Sequence, residues 1–293
     1  MLSVLNKISD EYIECFEKLE QAASQTHTDY LLIGATARDL IMESVYGIKA
    51  KRQTFDIDIG LCVGSWGTFQ KFKDNLKNQG LIESPDVAHI MTFIPTNAED
   101  GRDSIRLDLV PYGAINDENG EISWPPNGDV VMSVLGFAEA YESKELIEIK
   151  KDLTLPVTSA VGLCLLKFIA WVGRDRNQRS RDAQDIKFIL SNYEQLPGIQ
   201  DAIFDEEFTE RFDHDIEKAV AAKLGSDIAL ICSSQTLEHI NSGLFNHADE
   251  LKLEAFATEM QTRDPDHAQH NLELIKALKE GFQNPYIAPA EPD

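Results

Sequence analysis

The chain has 293 residues, of which 43% are hydrophobic and 26% charged, enough to bury a sizeable core in one large domain or two unequal ones. Disordered and fibrous classes are excluded by that balance. Lysine and arginine number 27 against 50 acidic residues, a formal charge of -23, so a protein that coats nucleic acid or an anionic membrane nonspecifically is excluded and any nucleic-acid contact must be local.

Residues 8–24 repeat apolar side chains at helical spacing (Ile8, Tyr12, Phe16, Leu19), as an amphipathic surface helix does. Residues 30–33 read as a short buried strand that ends at Gly34-Ala35, with a helix over 36–42. From Thr54 to Leu61 the pattern alternates strictly, placing Phe55, Ile57, Ile59 and Leu61 on one face and Asp56 and Asp58 on the other. A helix is expected over 66–79, closed by Gly80, and strands over 89–94 and 104–110. In the second of these, Ile105, Leu107 and Leu109 alternate with Arg106 and Asp108, and Pro111 is expected to stop the strand. Residues 116–129, with Trp124-Pro125-Pro126 inside them, read as a loop, followed by strand signal at 130–134 and 145–149.

Beyond Pro156 strand signal nearly vanishes, and helical period marks 160–172, 182–193, 213–224 and 270–281. The expected organisation is an α/β region over 1–155 and a helical domain over 156–293, with a proline-rich tail at 285–293 that reads as disordered. Charge changes along the chain as well. From Lys150 to Leu190 eight basic residues face four acidic ones, whereas from Asp201 onward acids number twenty against seven bases.

Cys15, Cys62, Cys164 and Cys232 are scattered, without a CxxC pair or a histidine at ligand spacing, so neither a zinc site nor a disulfide framework is indicated. No apolar run approaches the roughly 20 residues of a membrane span, and acids interrupt the N-terminal segment where a signal peptide is apolar. A reduced, cytoplasmic protein with no membrane partner is expected. The histidines form no HExxH cluster, Ser65 lacks the frame of a nucleophile elbow, and Trp66, Trp124 and Trp171 read as packing anchors.

Two aspartates at i and i+2 of a strand project roughly 6–7 Å apart on one face, and a third carboxylate on a neighbouring strand completes a set of hard oxygen ligands. Such a set repels itself unless a cation joins it. A strand–glycine–helix turn nearby offers backbone N–H groups to a phosphate.

Gly34-Ala35-Thr36-Ala37-Arg38-Asp39-Leu40, then Arg52-Gln53-Thr54-Phe55-Asp56-Ile57-Asp58, then Leu107-Asp108-Leu109-Val110-Pro111-Tyr112-Gly113 resemble the three-carboxylate core of the DNA polymerase beta-like nucleotidyltransferases, and more narrowly the AbiEii/AbiGii toxin-type family. The resemblance continues through Leu165-Leu166-Lys167-Phe168-Ile169-Ala170-Trp171 to Arg174 and Arg181-Asp182-Ala183-Gln184-Asp185-Ile186. It implies a nucleotidyltransferase-like α/β (α+β) fold, a mixed sheet with flanking helices and a C-terminal helical layer. It also implies a metal-dependent transfer of a nucleotide from an NTP to an acceptor, RNA such as tRNA or a protein, in a toxin–antitoxin or phage-defence setting with a possible cognate antitoxin. Asp56, Asp58 and Asp108 would hold Mg2+ or Mn2+. Lys167 would join them as the fourth catalytic residue and contact the triphosphate, while Gly34, Ala35, Arg38, Thr54, Arg174, Asp182 and Asp185 would line the nucleotide. Three features depart from the family pattern: Ala35 stands where the turn usually carries Gly-Ser or Gly-Gly and has no hydroxyl, the stretch from Gly34 to Asp56 is longer than is usual across the superfamily, and Arg181 stands where Lys is frequent. The rival expectation is a non-catalytic nucleotide-sensing or protein-interaction module that keeps the fold, which the acidic C-terminal third would suit.

Overall fold

The computed structural model describes residues 2–5, 7–49, 56–97, 104–246, 250–260 and 266–287. Two units divide the chain, Met1–Leu163 and Cys164–Asp293.

In chain order the first unit contains β1 (Leu2–Ser3), α1 (Asp10–Thr26), β2 (Asp29–Ile33), α2 (Gly34–Asp39, continued by a π-helical stretch Leu40–Val45), β3 (Asp56–Cys62) and α3 (Trp66–Asn78). Then follow β4 (Ile82–Glu83), β5 (Ile90–Phe93), β6 (Ile105–Tyr112), β7 (Glu121–Ser123), β8 (Val131–Ser133), α4 (Phe137–Glu142), β9 (Glu145–Lys150) and β10 (Leu153–Val157). Helix α5 (Ala160–Gly173) carries the chain from the first unit into the second. Eight strands form one mixed sheet in the order β1-β9-β10-β2-β3-β6-β5-β4, and β7 pairs with β8 as a separate hairpin. This is the α/β architecture expected from the alternating pattern.

Alternation explains the centre of the sheet. Ile57, Ile59 and Leu61 of β3 are wholly buried, as are Leu107 and Leu109 of β6 to within 1%, which leaves the intervening charged residues on the opposite face. Helix α1 buries Cys15, Phe16 and Leu19, and α3 buries Phe69, Phe72 and Leu76. Ser65 caps α3 by accepting a bond from the Thr68 N–H at 3.2 Å, satisfying one of the donors a helix start leaves open.

Several boundaries differ from those read in the sequence. Strand β6 runs through Pro111 to Tyr112, paired in parallel with β3. The Leu109 N–H points to β5, where it meets the His89 carbonyl at 2.9 Å. Pro111 shares that orientation, but β5 has no residue left to pair there, so its missing donor costs nothing. The expected loop at 116–129 contains β7, and β10 was not foreseen because Pro156 interrupts its pattern. The helix after β2 begins at Gly34, two residues early. Phe55 and most of the tail, residues 288–293, lie outside the described residues.

The second unit is helical: after α5 come α6 (Arg176–Leu190), a 3-10 turn (Tyr193–Gln195), α7 (Ile199–Asp205), α8 (Phe208–Arg211), α9 (Ile216–Ile231), α10 (Ser234–Gly243), α11 (Glu250–Glu259) and α12 (Asp266–Gln283). Helix α6 starts six residues before the expected 182, because the polar stretch from Arg176 lacks an apolar period yet consists of adequate helix formers. Phe168 stacks on Phe256 and meets Phe245 edge-on, centring the aromatic core. Helices α9 and α12 cross at two glycines: a Cβ at Gly225 would lie 2.0 Å from the Leu278 carbonyl oxygen, and one at Gly281 would lie 1.9 Å from that of Ala222.

Candidate active site

Strand β3 lies between β2, antiparallel to it, and β6, parallel to it. Asp58 is opposite Ile33 on one side and Asp108 on the other, and Asp56 is opposite Arg106. Residues paired across neighbouring strands project to the same face, so Asp56, Asp58 and Asp108 share one face, away from the buried Ile57, Ile59 and Leu107.

The turn after Ile33 brings Gly34 against this row. Gly34 has φ +71, and a Cβ there would lie 1.9 Å from Asp58 Oδ2. Only glycine both adopts the left-handed conformation without strain and leaves room for the carboxylate. Next on α2, Ala35 is half-buried, and Thr36 Oγ1 donates to the Asp56 carbonyl oxygen at 2.5 Å, tying the helix start to the strand. Arg38 is buried and its Nε and Nη2 donate to Asp39 Oδ1 at 2.8 and 2.6 Å. Thr54 lies outside the described residues. Tyr12 of α1 feels the same row: burial first, then the charges of Cys15, Asp56 and Asp39, push its phenol up to about 12.

Asp108 is held from two directions. Arg106 Nη2 approaches its Oδ2 at 3.2 Å and His89 Nε2 its Oδ1 at 3.4 Å. Sequence reasoning gave neither residue a role. Arg106 had a signal, since i and i+2 of a strand share a face, but His89 precedes β5 in a turn and had none. The carboxylates therefore share a face while turning to different partners, and among the described residues no three His, Cys, Asp or Glu side chains are gathered into a metal-holding cluster. The row nonetheless fits a divalent cation in two respects: its donors are hard oxygens, and strand register sets Asp58 beside Asp108 next to the cleared space of Gly34.

The second unit contains the other expected residues as one ion cluster. Lys167 Nζ lies 3.0 Å from Asp182 Oδ1 and 2.7 Å from Asp185 Oδ2, and Arg174 Nη1 donates to both oxygens of Asp182 at 3.0 and 2.7 Å. Asp182 is fully buried. Both acids orient Lys167. Burial opposes the Lys167 charge, but the Asp185 and Asp182 carboxylates together outweigh it and hold the ammonium above the ordinary lysine range.

No curated protein matches the chain significantly. Solved structures that resemble it include an antigenic nucleotidyltransferase-like protein from Paracoccidioides brasiliensis (18% identity over 72% of this chain and 93% of that one, TM-score 0.41). The antibiotic-resistance factor ANT(2'')-Ia matches at 14% identity over 71% and 98% with TM-score 0.36. A Thermotoga maritima CCA-adding enzyme, solved with tRNA, matches at 11% identity over 95% and 82% with TM-score 0.28. Residues 18–284 match the family model described as nucleotidyl transferase AbiEii toxin, type IV TA system. With that match extending over most of the sequence, the chain belongs to the AbiEii family of nucleotidyltransferase toxins.

Proposed function

We propose that this nucleotidyltransferase toxin moves a nucleotide from an NTP to a hydroxyl of an acceptor RNA or protein, with a divalent cation, Mg2+ or Mn2+, held by Asp56, Asp58 and Asp108. The observation that carries this reading is the placement of Asp58 directly opposite Asp108 and against Gly34. When bound, the cation supplies charge neutralisation to the triphosphate. Gly34 and Ala35 open the turn to phosphate oxygens. Asp108 accepts the proton of the acceptor hydroxyl, and its Arg106 and His89 contacts hold the carboxylate in place. In the second unit, Lys167 carries an ammonium that its two carboxylates keep charged, a group chemically suited to a phosphate oxygen of a nucleotide. Arg174, Asp182 and Asp185 position that ammonium.

Membership of a type IV toxin–antitoxin family supports a cognate antitoxin as partner. Among the described residues no helix is long and apolar enough to cross a membrane.

The test is transfer itself. Purified protein with Mg2+ and each labelled NTP, given total RNA and a cell extract, should label one acceptor, and Asp58→Ala should abolish the signal. Equal labelling by both proteins would sink the reading. Nucleotide binding without any transfer would instead support a non-catalytic sensor.

A further inference from the structure

His89 stands at the point where β5 enters the sheet, with its backbone and one face of its ring held and its side chain 33% exposed. Its carbonyl accepts the Leu109 N–H of β6 at 2.9 Å. The preceding carbonyl, that of Ala88, accepts from Lys73 Nζ at 2.7 Å, and this lysine is 2% exposed and also bonded to Glu83. The imidazole packs against Trp124 with ring centroids 4.9 Å apart. Trp124 is itself wedged among Trp66 at 5.1 Å and Phe69 at 5.8 Å. From this clamped position Nε2 faces Asp108 Oδ1 at 3.4 Å. The opposite oxygen faces Arg106, whose side chain is 47% exposed at the end of a long flexible stem. Of these two partners the histidine, 33% exposed against 47%, is the one braced by an aromatic contact.

We infer that His89 is a positioning residue: braced by Trp124, its ring N–H keeps the Asp108 carboxylate turned for a divalent cation on the β3–β6 face. Carboxylates that bind metals are commonly oriented by such outer partners, whose loss weakens metal affinity or activity about 10–100-fold. This inference rests on the metal-dependent reading above.

Mn2+ titration of the full chain, followed by the EPR signal of the free ion, tests it without requiring turnover. Relative to wild type, His89→Ala and His89→Phe should each bind Mn2+ about tenfold more weakly, whereas His89→Gln, which retains an N–H donor, should recover most of the loss. The phenylalanine variant keeps the ring on Trp124, so a fold defect in His89→Ala leaves the measurement intact. In NTP transfer the same variants should lose kcat with KM for the NTP nearly unchanged. Wild-type affinity in His89→Phe, or a glutamine variant as weak as the phenylalanine one, would overturn the assignment alone. Mn2+ binding with the expected variant series but no nucleotide transfer would overturn the proposed function alone. A wild-type protein that binds no Mn2+ would overturn both.

Discussion

Carboxylates serve two different ends in the two units. Asp182 is fully buried beneath an ammonium and a guanidinium, while Asp108 is 24% exposed and Asp56 is exposed at the start of β3. A buried anion is tolerated only while its cations remain, because its desolvation must be offset within the fold. A half-exposed anion keeps part of its hydration and can be removed or recruited by a ligand at little structural cost. The contrast teaches that Asp182 is a fixed internal partner of Lys167 and Arg174, whereas the strand row keeps its carboxylates open to a ligand.

Removing one member from each unit breaks or sharpens that contrast. Asp182→Ala should cost about 3 kcal/mol of stability, since it removes the charged hydrogen bonds of Arg174 and one of the two carboxylates of Lys167; a melting temperature near wild type would erase the distinction. Asp58→Ala should do the reverse, lowering nucleotide transfer at least a hundredfold, about 2.7 kcal/mol in barrier, with its melting curve close to wild type. Gly225→Ala places a methyl group 2.0 Å from the Leu278 carbonyl and should destabilise the second unit by about 1–3 kcal/mol, read as a lower urea midpoint without a change in Mn2+ affinity. The smallest effect concerns alkaline pH. Because the folded Lys167 value is raised above 10.5, its stabilisation is fully present below that pH and is lost as pH rises through the raised value. Melting temperatures above pH 10.5 should therefore fall more steeply for wild type than for Lys167→Met, and parallel curves would remove Lys167 from the linkage.

Much of the strand row was legible beforehand, because a period of two in a half-buried strand leaves charged residues nowhere to go but the opposite face. Asp56, Asp58 and Asp108 could be read that way, and the Gly34 turn stood out between a strand and a helix. What local pattern did not carry was pairing. Nothing in the order of residues says that Asp58 is level with Asp108 rather than Arg106, or that a histidine nineteen positions away reaches the same carboxylate. The convergence of Lys167 and Arg174 on Asp182 depends likewise on how α5 and α6 meet. Helices α7 and α8 escaped notice because seven and four residues are too short to display a period.

The parallel pairing of β3 with β6 also protects the proposed carboxylate row against drift. A slip of one residue would set Leu107 or Leu109 level with Asp58 and drive Asp108 into the space now filled by aliphatic side chains. The interior would then hold an unpaired charge, and the fold would fail before a misaligned enzyme could accumulate.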